Sequence, residues 1–182
     1  MINHKNVLWI TRTGVLISLL VVLQAATIPL GNQFVTGSVV NLMLIISVMT
    51  CGLSTGLTVA ALSPVLPTLL GFGPQWPLIP FIASGNISLV LIWHFIGNRD
   101  FGVRYVSHSA ALILGAVTKF TVLYFGIVKI AAPFILGLPE QNPLAYMFSF
   151  PQIITASIGG AIAIIILPLL RKAIRSQRSG SQ

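Results

Sequence analysis

Side chains able to do chemistry are scarce in this sequence, so each can be weighed separately. The most informative is Lys119, set in the apolar run "LILGAVTKFTVLYFGIVK" at positions 112–129. A lysine at the centre of a bilayer costs ~2.5–3.5 kcal/mol on the insertion scale and normally points into a bundle interior or a cavity. Twelve residues into the candidate span 107–133 that contains this run, Lys119 lies roughly 18 Å deep at 1.5 Å per residue, too deep to snorkel comfortably. Gly115 and Gly126 project within about 40° of it at 100° per residue, which makes its stripe either close-packed or open. Asn86, in the preceding apolar run, lies at a similar depth. The two acidic residues, Asp100 and Glu140, fall in connecting segments, so no carboxylate is available within an apolar run to neutralise Lys119. Three outcomes are open: the lysine loses its proton, it donates to amides and carbonyls such as those of Asn86, or an anionic group arrives with a ligand. A plain polar contact between helices also satisfies the observation. Lys129, nearer the end of the run, is placed to snorkel.

The remaining inventory excludes several chemistries. Asp100 and Glu140 leave no intramembrane acid of the sort proton-driven carriers use, though sodium coupling through carbonyls stays open. No GxxxxGK[ST] segment occurs, so ATP hydrolysis by a phosphate loop is excluded. His4, His94 and His108 are expected at helix ends and show no HExxH spacing. The single cysteine, Cys51, forms neither an intrachain disulfide nor a zinc site by itself and reads as a small packing residue. With no nucleophile–base pair or metal set and no cofactor motif, an enzyme is not expected and no cofactor is implied.

What must position these residues follows from composition. The chain has 182 residues, of which 55% are hydrophobic and 7% charged, against roughly 25% charged in a soluble domain. An outer surface this apolar implies lipid as the solvent. The net charge of +8 comes from basic residues that flank apolar runs instead of lining one face, and no aromatic–basic motif for nucleic acid accompanies them. Crossing ~30 Å of hydrocarbon takes about 20 apolar residues. That criterion gives six candidate spans, at 13–30, 37–51, 54–71, 78–97, 107–133 and 147–170, separated by Gly-, Asn- and Pro-containing breaks. The second is short, and the third contains Pro64 and Pro67. The first follows Lys5 and Arg12 and ends near Gln24-Ala25-Ala26; its length and its equally apolar sequel favour a spanning helix over a cleaved signal peptide.

The expected architecture is therefore an all-α membrane protein, one domain of six transmembrane helices in a single bundle. Lys5, Arg12, Arg99, Arg104, Arg171, Lys172, Arg175 and Arg178 all fall on one side of such a bundle, and the three loops on the other side hold no Lys or Arg. Cytoplasmic loops collect these residues, so both termini are expected to be cytoplasmic. Aromatics divide between the ends, with Phe34, Phe72, Trp76, Phe81, Tyr146, Phe148 and Phe150 at the outer one and Trp9, Trp93, Phe101 and Tyr105 at the inner one. Interfacial belts account for both sets, while several of the outer set sit in loops and could cover a ligand cavity.

Helix 1 begins "RTGVLISLLV", which puts Gly14 and Ser18 on one face four residues apart. Small residues allow close backbone approach between helices in lipid, within the bundle or to another protein. At these residues the chain resembles the S components, the substrate-binding membrane subunits, of energy-coupling factor (ECF) vitamin transporters. The likeness runs over almost the whole chain. It includes the first loop, Gly31-Asn32-Gln33-Phe34-Val35-Thr36-Gly37-Ser38, "LSPVLPTLLGFGP" in helix 3 and "FPQIITASIGG" opening helix 6. The resemblance implies a prokaryotic plasma-membrane subunit that captures a vitamin from outside. It then docks on a membrane scaffold subunit driven by two cytoplasmic ATPases. In that family an AxxxA motif of helix 1 meets the scaffold; Gly14 and Ser18 stand at the corresponding positions, neither of them alanine but both small. The family's binding region corresponds here to Gln33, Phe34, Trp76, Asn86, Lys119, Tyr146 and Gln152. Among vitamins the sequence looks most like the cobalamin-specific S components, with pantothenate and other vitamins as competitors. The phosphodiester of cobalamin or the carboxylate of pantothenate could pair with Lys119. From other classes, an autonomous secondary transporter of a small solute is the main alternative, ahead of a membrane-embedded enzyme.

Overall fold

Computed from the sequence, the structural model describes residues 4–99, 104–139 and 142–179; Asp100, Phe101 and Glu140 lie outside them. Its long helices are α1 (His4–Thr27), α2 (Gln33–Cys51), α3 (Leu53–Leu69), α4 (Ile79–Phe95), α5 (Arg104–Leu123) and α7 (Pro151–Ser179). A short helix, α6 (Pro143–Met147), precedes α7, and α5 runs on without a break as a π-helix over Tyr124–Ile135. No strand occurs among the described residues. Five helical segments are long and apolar enough to cross a membrane: Asn6–Leu30, Gln33–Cys51, Trp76–Phe95, Val106–Ile135 and Pro143–Ala173. Leu53–Leu69 is apolar but shorter. The chain is thus an all-α, multi-pass membrane bundle, and exposed Ile10, Val15, Val22, Ile113, Phe125, Phe134 and Ile165 give it a lipid-compatible exterior.

Helix ends follow local chemistry. The side chain of Asn32 accepts a hydrogen bond from the Phe34 N–H at 2.9 Å and caps α2, which starts four residues before the apolar run. Asn142 caps α6 by accepting from Ala145 N–H at 2.9 Å. Gly31 and Gly52 end helical segments with φ of 63° and 92°, a region that favours glycine. Prolines at 64 and 67 do not break α3. Pro64 cannot donate to the Ala60 carbonyl, and the Ser63 hydroxyl donates to that carbonyl instead, at 2.8 Å.

The core is asymmetric along the bundle. Leu44, Ile45 and Val48 of α2, Val59 and Ala60 of α3, Leu89, Val90 and Trp93 of α4, and Ala163 and Leu167 of α7 form one solid apolar cluster. It fills the half of the bundle nearer Arg12, Arg99 and Arg171. Trp93, expected in an interfacial belt, is wholly buried there. His108 is buried too, stacked on Trp93 with centroids 6.1 Å apart, and not at the interface its position suggests. Both corrections have one cause: α4 and α5 cross closely where Gly115 replaces a side chain, since a Cβ there would lie 2.9 Å from Leu89 Cδ1 and 3.4 Å from Trp93 Cδ1. The Lys119 stripe is therefore close-packed against α4. Gly126 repeats the device in the π-helix, where a Cβ would meet Phe81 at 2.7 Å.

Candidate functional site

The opposite half of the bundle holds a smaller apolar cluster around Leu78, Leu123, Ile127 and Ala131, and beside it an open space. A cavity of about 470 Å³ lies between the C-terminal ends of α1, α3 and α5 and the N-terminal ends of α2, α4 and α7. Its position follows from sequence. Pro64 and Pro67 supply compact rings in place of long side chains on the α3 wall. Gly37 on the α2 wall has no room for a side chain, because a Cβ would lie 2.8 Å from Thr155 Cγ2. The volume falls in the lower half of the ~300–1,000 Å³ typical of small-molecule sites.

Lys119 forms the floor. It is 4% exposed. Its Nζ donates to Asn41 Oδ1 at 2.5 Å and to Asn86 Oδ1 at 2.7 Å. Each asparagine is itself held by a second partner. Asn86 Nδ2 donates to Ser63 Oγ at 2.8 Å, and Asn41 Nδ2 donates to Thr155 Oγ1 at 3.3 Å. The hydroxyls of Ser63 and Thr155 in turn donate hydrogen bonds to the carbonyls of Ala60 and Gln152, at 2.8 and 3.2 Å. The network joins α2, α3, α4, α5 and α7 across the bundle centre. Both partners of Nζ are neutral amide carbonyls that bring no compensating charge, and no carboxylate lines the cavity among the described residues.

Above the floor the wall is mostly apolar, with Val40, Pro64, Pro67, Ile82, Leu123 and Phe148. Polar groups return at the rim. Gln33 Nε2 and Gln152 Nε2 both donate to the Met147 carbonyl, at 2.6 and 3.0 Å. One carbonyl thereby ties the start of α2 to the α6–α7 connection beside the opening. Gln24 also lines the cavity, and its buried Oε1 accepts no hydrogen bond.

Of the residues singled out in the sequence, Gln33, Asn86, Lys119 and Gln152 come together around this cavity. Phe34, Trp76 and Tyr146 do not line it; Trp76 is 57% and Tyr146 67% exposed. Phe72 and Phe148 are the aromatics that face the space instead. Tyr146 lies with Tyr124 and Lys129 around a separate groove, where Lys129 Nζ sits 6.0 Å from the centroid of the Tyr124 ring. Sequence reasoning missed Asn41 and Ser63. Asn41 was detectable by the signal that marked Asn86, an amide inside an apolar run, whereas Ser63 gains importance only from its contact with Asn86.

Gly14 and Ser18 are both exposed on α1, and a Cβ at Gly14 would meet nothing within 4 Å. This pair faces away from the bundle. Packing between α1 and the bundle uses other residues, including the buried Thr13, whose hydroxyl lies 3.2 Å from that of Thr55. Searches with this chain match no protein-family model, no curated protein and no solved structure, so its fold and site stand on the geometry alone.

Proposed function

We propose that this chain is the solute-binding membrane subunit of an importer, of the kind represented by the S components of ECF vitamin transporters. The observation that carries the reading is a one-sided cavity. The space above Lys119 has a polar rim, while the half below it is filled by the cluster around Leu44, Val48, Leu89 and Trp93. Such a bundle can hold a solute but offers no continuous path through itself, so release on the far side needs a conformational change driven from elsewhere. In this reading the chain spans the membrane six times with both termini in the cytoplasm, and the cavity faces outward. The absence of Lys and Arg from the three loops at the cavity end supports that orientation. The membrane is the plasma membrane of a prokaryote.

The outward-facing Gly14 and Ser18 support a docking role for α1, since nothing in the bundle covers them. Their partner is a membrane scaffold subunit coupled to two ATPases, and the chain itself is not an enzyme. Of the two vitamins weighed, the cavity volume favours one of pantothenate's size. Cobalamin, with its macrocycle, amide arms and nucleotide loop, would require the outer segments to open well beyond their present positions.

Purified chain titrated with pantothenate, folate and cobalamin tests capture, and liposomes holding only this chain test autonomy. Binding below micromolar concentration with no accumulation is expected. Uptake against a gradient by the isolated chain would replace this reading with an autonomous secondary transporter.

A further inference from the structure

Resting on the reading of the cavity as a solute site, we infer that its ligand is a compact, elongated monocarboxylate. Its carboxylate meets Lys119 at the floor, and a hydroxyl or N–H group near its other end donates to Gln24. Three features of the cavity lead to this class.

The first is charge. Lys119 is buried, its two partners are neutral amide carbonyls, and the described lining contains no acid. A monoanion brings the site to neutrality. A cation adds repulsion in a low-dielectric interior, a neutral solute leaves the ammonium as it was, and a dianion exchanges one unpaired charge for another. As an ammonium, Nζ has three N–H donors, of which Asn41 and Asn86 take two, and the third is left for an incoming oxygen.

The second is the distribution of polarity with depth. Asn41 lies eight residues along α2 from Gln33, about 12 Å at 1.5 Å per residue. Between these levels the wall is mostly apolar, with Val40, Pro64, Pro67, Ile82 and Leu123, interrupted on the α2 side by Thr36 and Gly37. A ligand fitted to this space is polar at both ends and apolar between them. The third is the orphan acceptor. Gln24 Oε1 is buried, borders the cavity and has no donor. An unsatisfied buried acceptor is costly to leave unmade, and a ligand donor would relieve it.

The test uses the purified full chain in lipid nanodiscs. Pantothenate, biotin and lipoate are each paired with the neutral alcohol or amide that differs only at the carboxylate. Cobalamin serves as a large control, and affinity is read by titration and thermal shift. At least one carboxylate is expected to bind on the order of 10- to 100-fold more tightly than its neutral counterpart, the preference that a hydrogen bond to a charged group confers. In Lys119→Met that ratio should fall to near one, and in Gln24→Leu the carboxylate preference should persist while affinity for hydroxyl- or amide-bearing ligands drops. Equal binding of charged and neutral partners by the native chain overturns the inference whether or not either variant folds. Tight binding of cobalamin alone overturns it as well, while leaving the solute-capture reading in place. Failure of every compound to bind removes both.

Discussion

Removing one of the two amides that hold Lys119 should destabilise the protein only while the lysine is present. The substitution with the cleanest geometry is Asn41→Leu, which keeps the heavy-atom count and branching of the side chain and deletes the acceptor 2.5 Å from Nζ. A hydrogen bond to a charged group is worth about 1.5–3 kcal/mol, whereas neutral interhelical bonds in membrane bundles average roughly 0.6 kcal/mol. The Lys119–Asn41 contact belongs to the first class, and the weak 3.3 Å bond from Asn41 to Thr155 belongs to the second. Asn41→Leu should therefore cost ~2–3 kcal/mol in the native background. In a Lys119→Met background, where no ammonium needs solvating, the same change should cost well under 1 kcal/mol. The coupling, about 2 kcal/mol, is measured by a double-mutant cycle of unfolding in mixed detergent micelles. Sites that do not interact add within about 0.5 kcal/mol. Additivity at that level would refute the claim that a charged lysine is solvated by these amides, and with it the electrostatic account of the cavity floor.

Other expectations are independent of that one. Ser63→Ala leaves Ala60 carbonyl and Asn86 Nδ2 short of a partner and should cost ~1–3 kcal/mol in the same unfolding assay. Gly159→Val would drive a side chain into the α2 backbone, because a Cβ there lies 2.7 Å from the Ser38 carbonyl oxygen and 2.9 Å from Leu42 N; a loss of about 1–3 kcal/mol or failure to fold is expected. Gly14→Leu with Ser18→Leu should leave unfolding and solute binding unchanged, since both positions face outward. The same double variant should abolish ATP-dependent uptake in liposomes that also contain the scaffold and ATPase subunits. Gln33→Leu with Gln152→Leu releases the Met147 carbonyl from both of its amide donors and should raise the dissociation rate of bound solute in a stopped-flow experiment. An unaltered rate would show that the tie does not restrain the opening.

Much of the fold was legible because lipid leaves a chain few options. Apolar runs of spanning length must become helices, and the breaks at Gly, Asn and Pro mark where they end. The bounds shifted where a second signal acted. α2 starts early at its Asn32 cap, and α7 carries on through Arg171 and Lys172 because a helix does not stop where the apolar run stops. Periodicity at 100° per residue could not foresee the π-helix after Leu123, because reading residues at that angle already assumes 3.6 residues per turn. The outer aromatics were equally opaque. Nothing in their identity distinguishes Phe72 and Phe148, which face the cavity, from Trp76 and Tyr146, which do not.

By itself the sequence determined that this is an apolar helical bundle with one deep, acid-free lysine, since both statements follow from which residues occur and how far apart they stand. Tertiary structure alone decided what the lysine meets. Asn41 and Asn86 are 78 and 33 residues away from it, and such partners are chosen by how helices cross. Those crossings are fixed by glycines at which a Cβ would lie 2.7–2.9 Å from a neighbouring side chain, and by prolines that keep one wall thin. The cavity is what this close packing in one half leaves unfilled in the other.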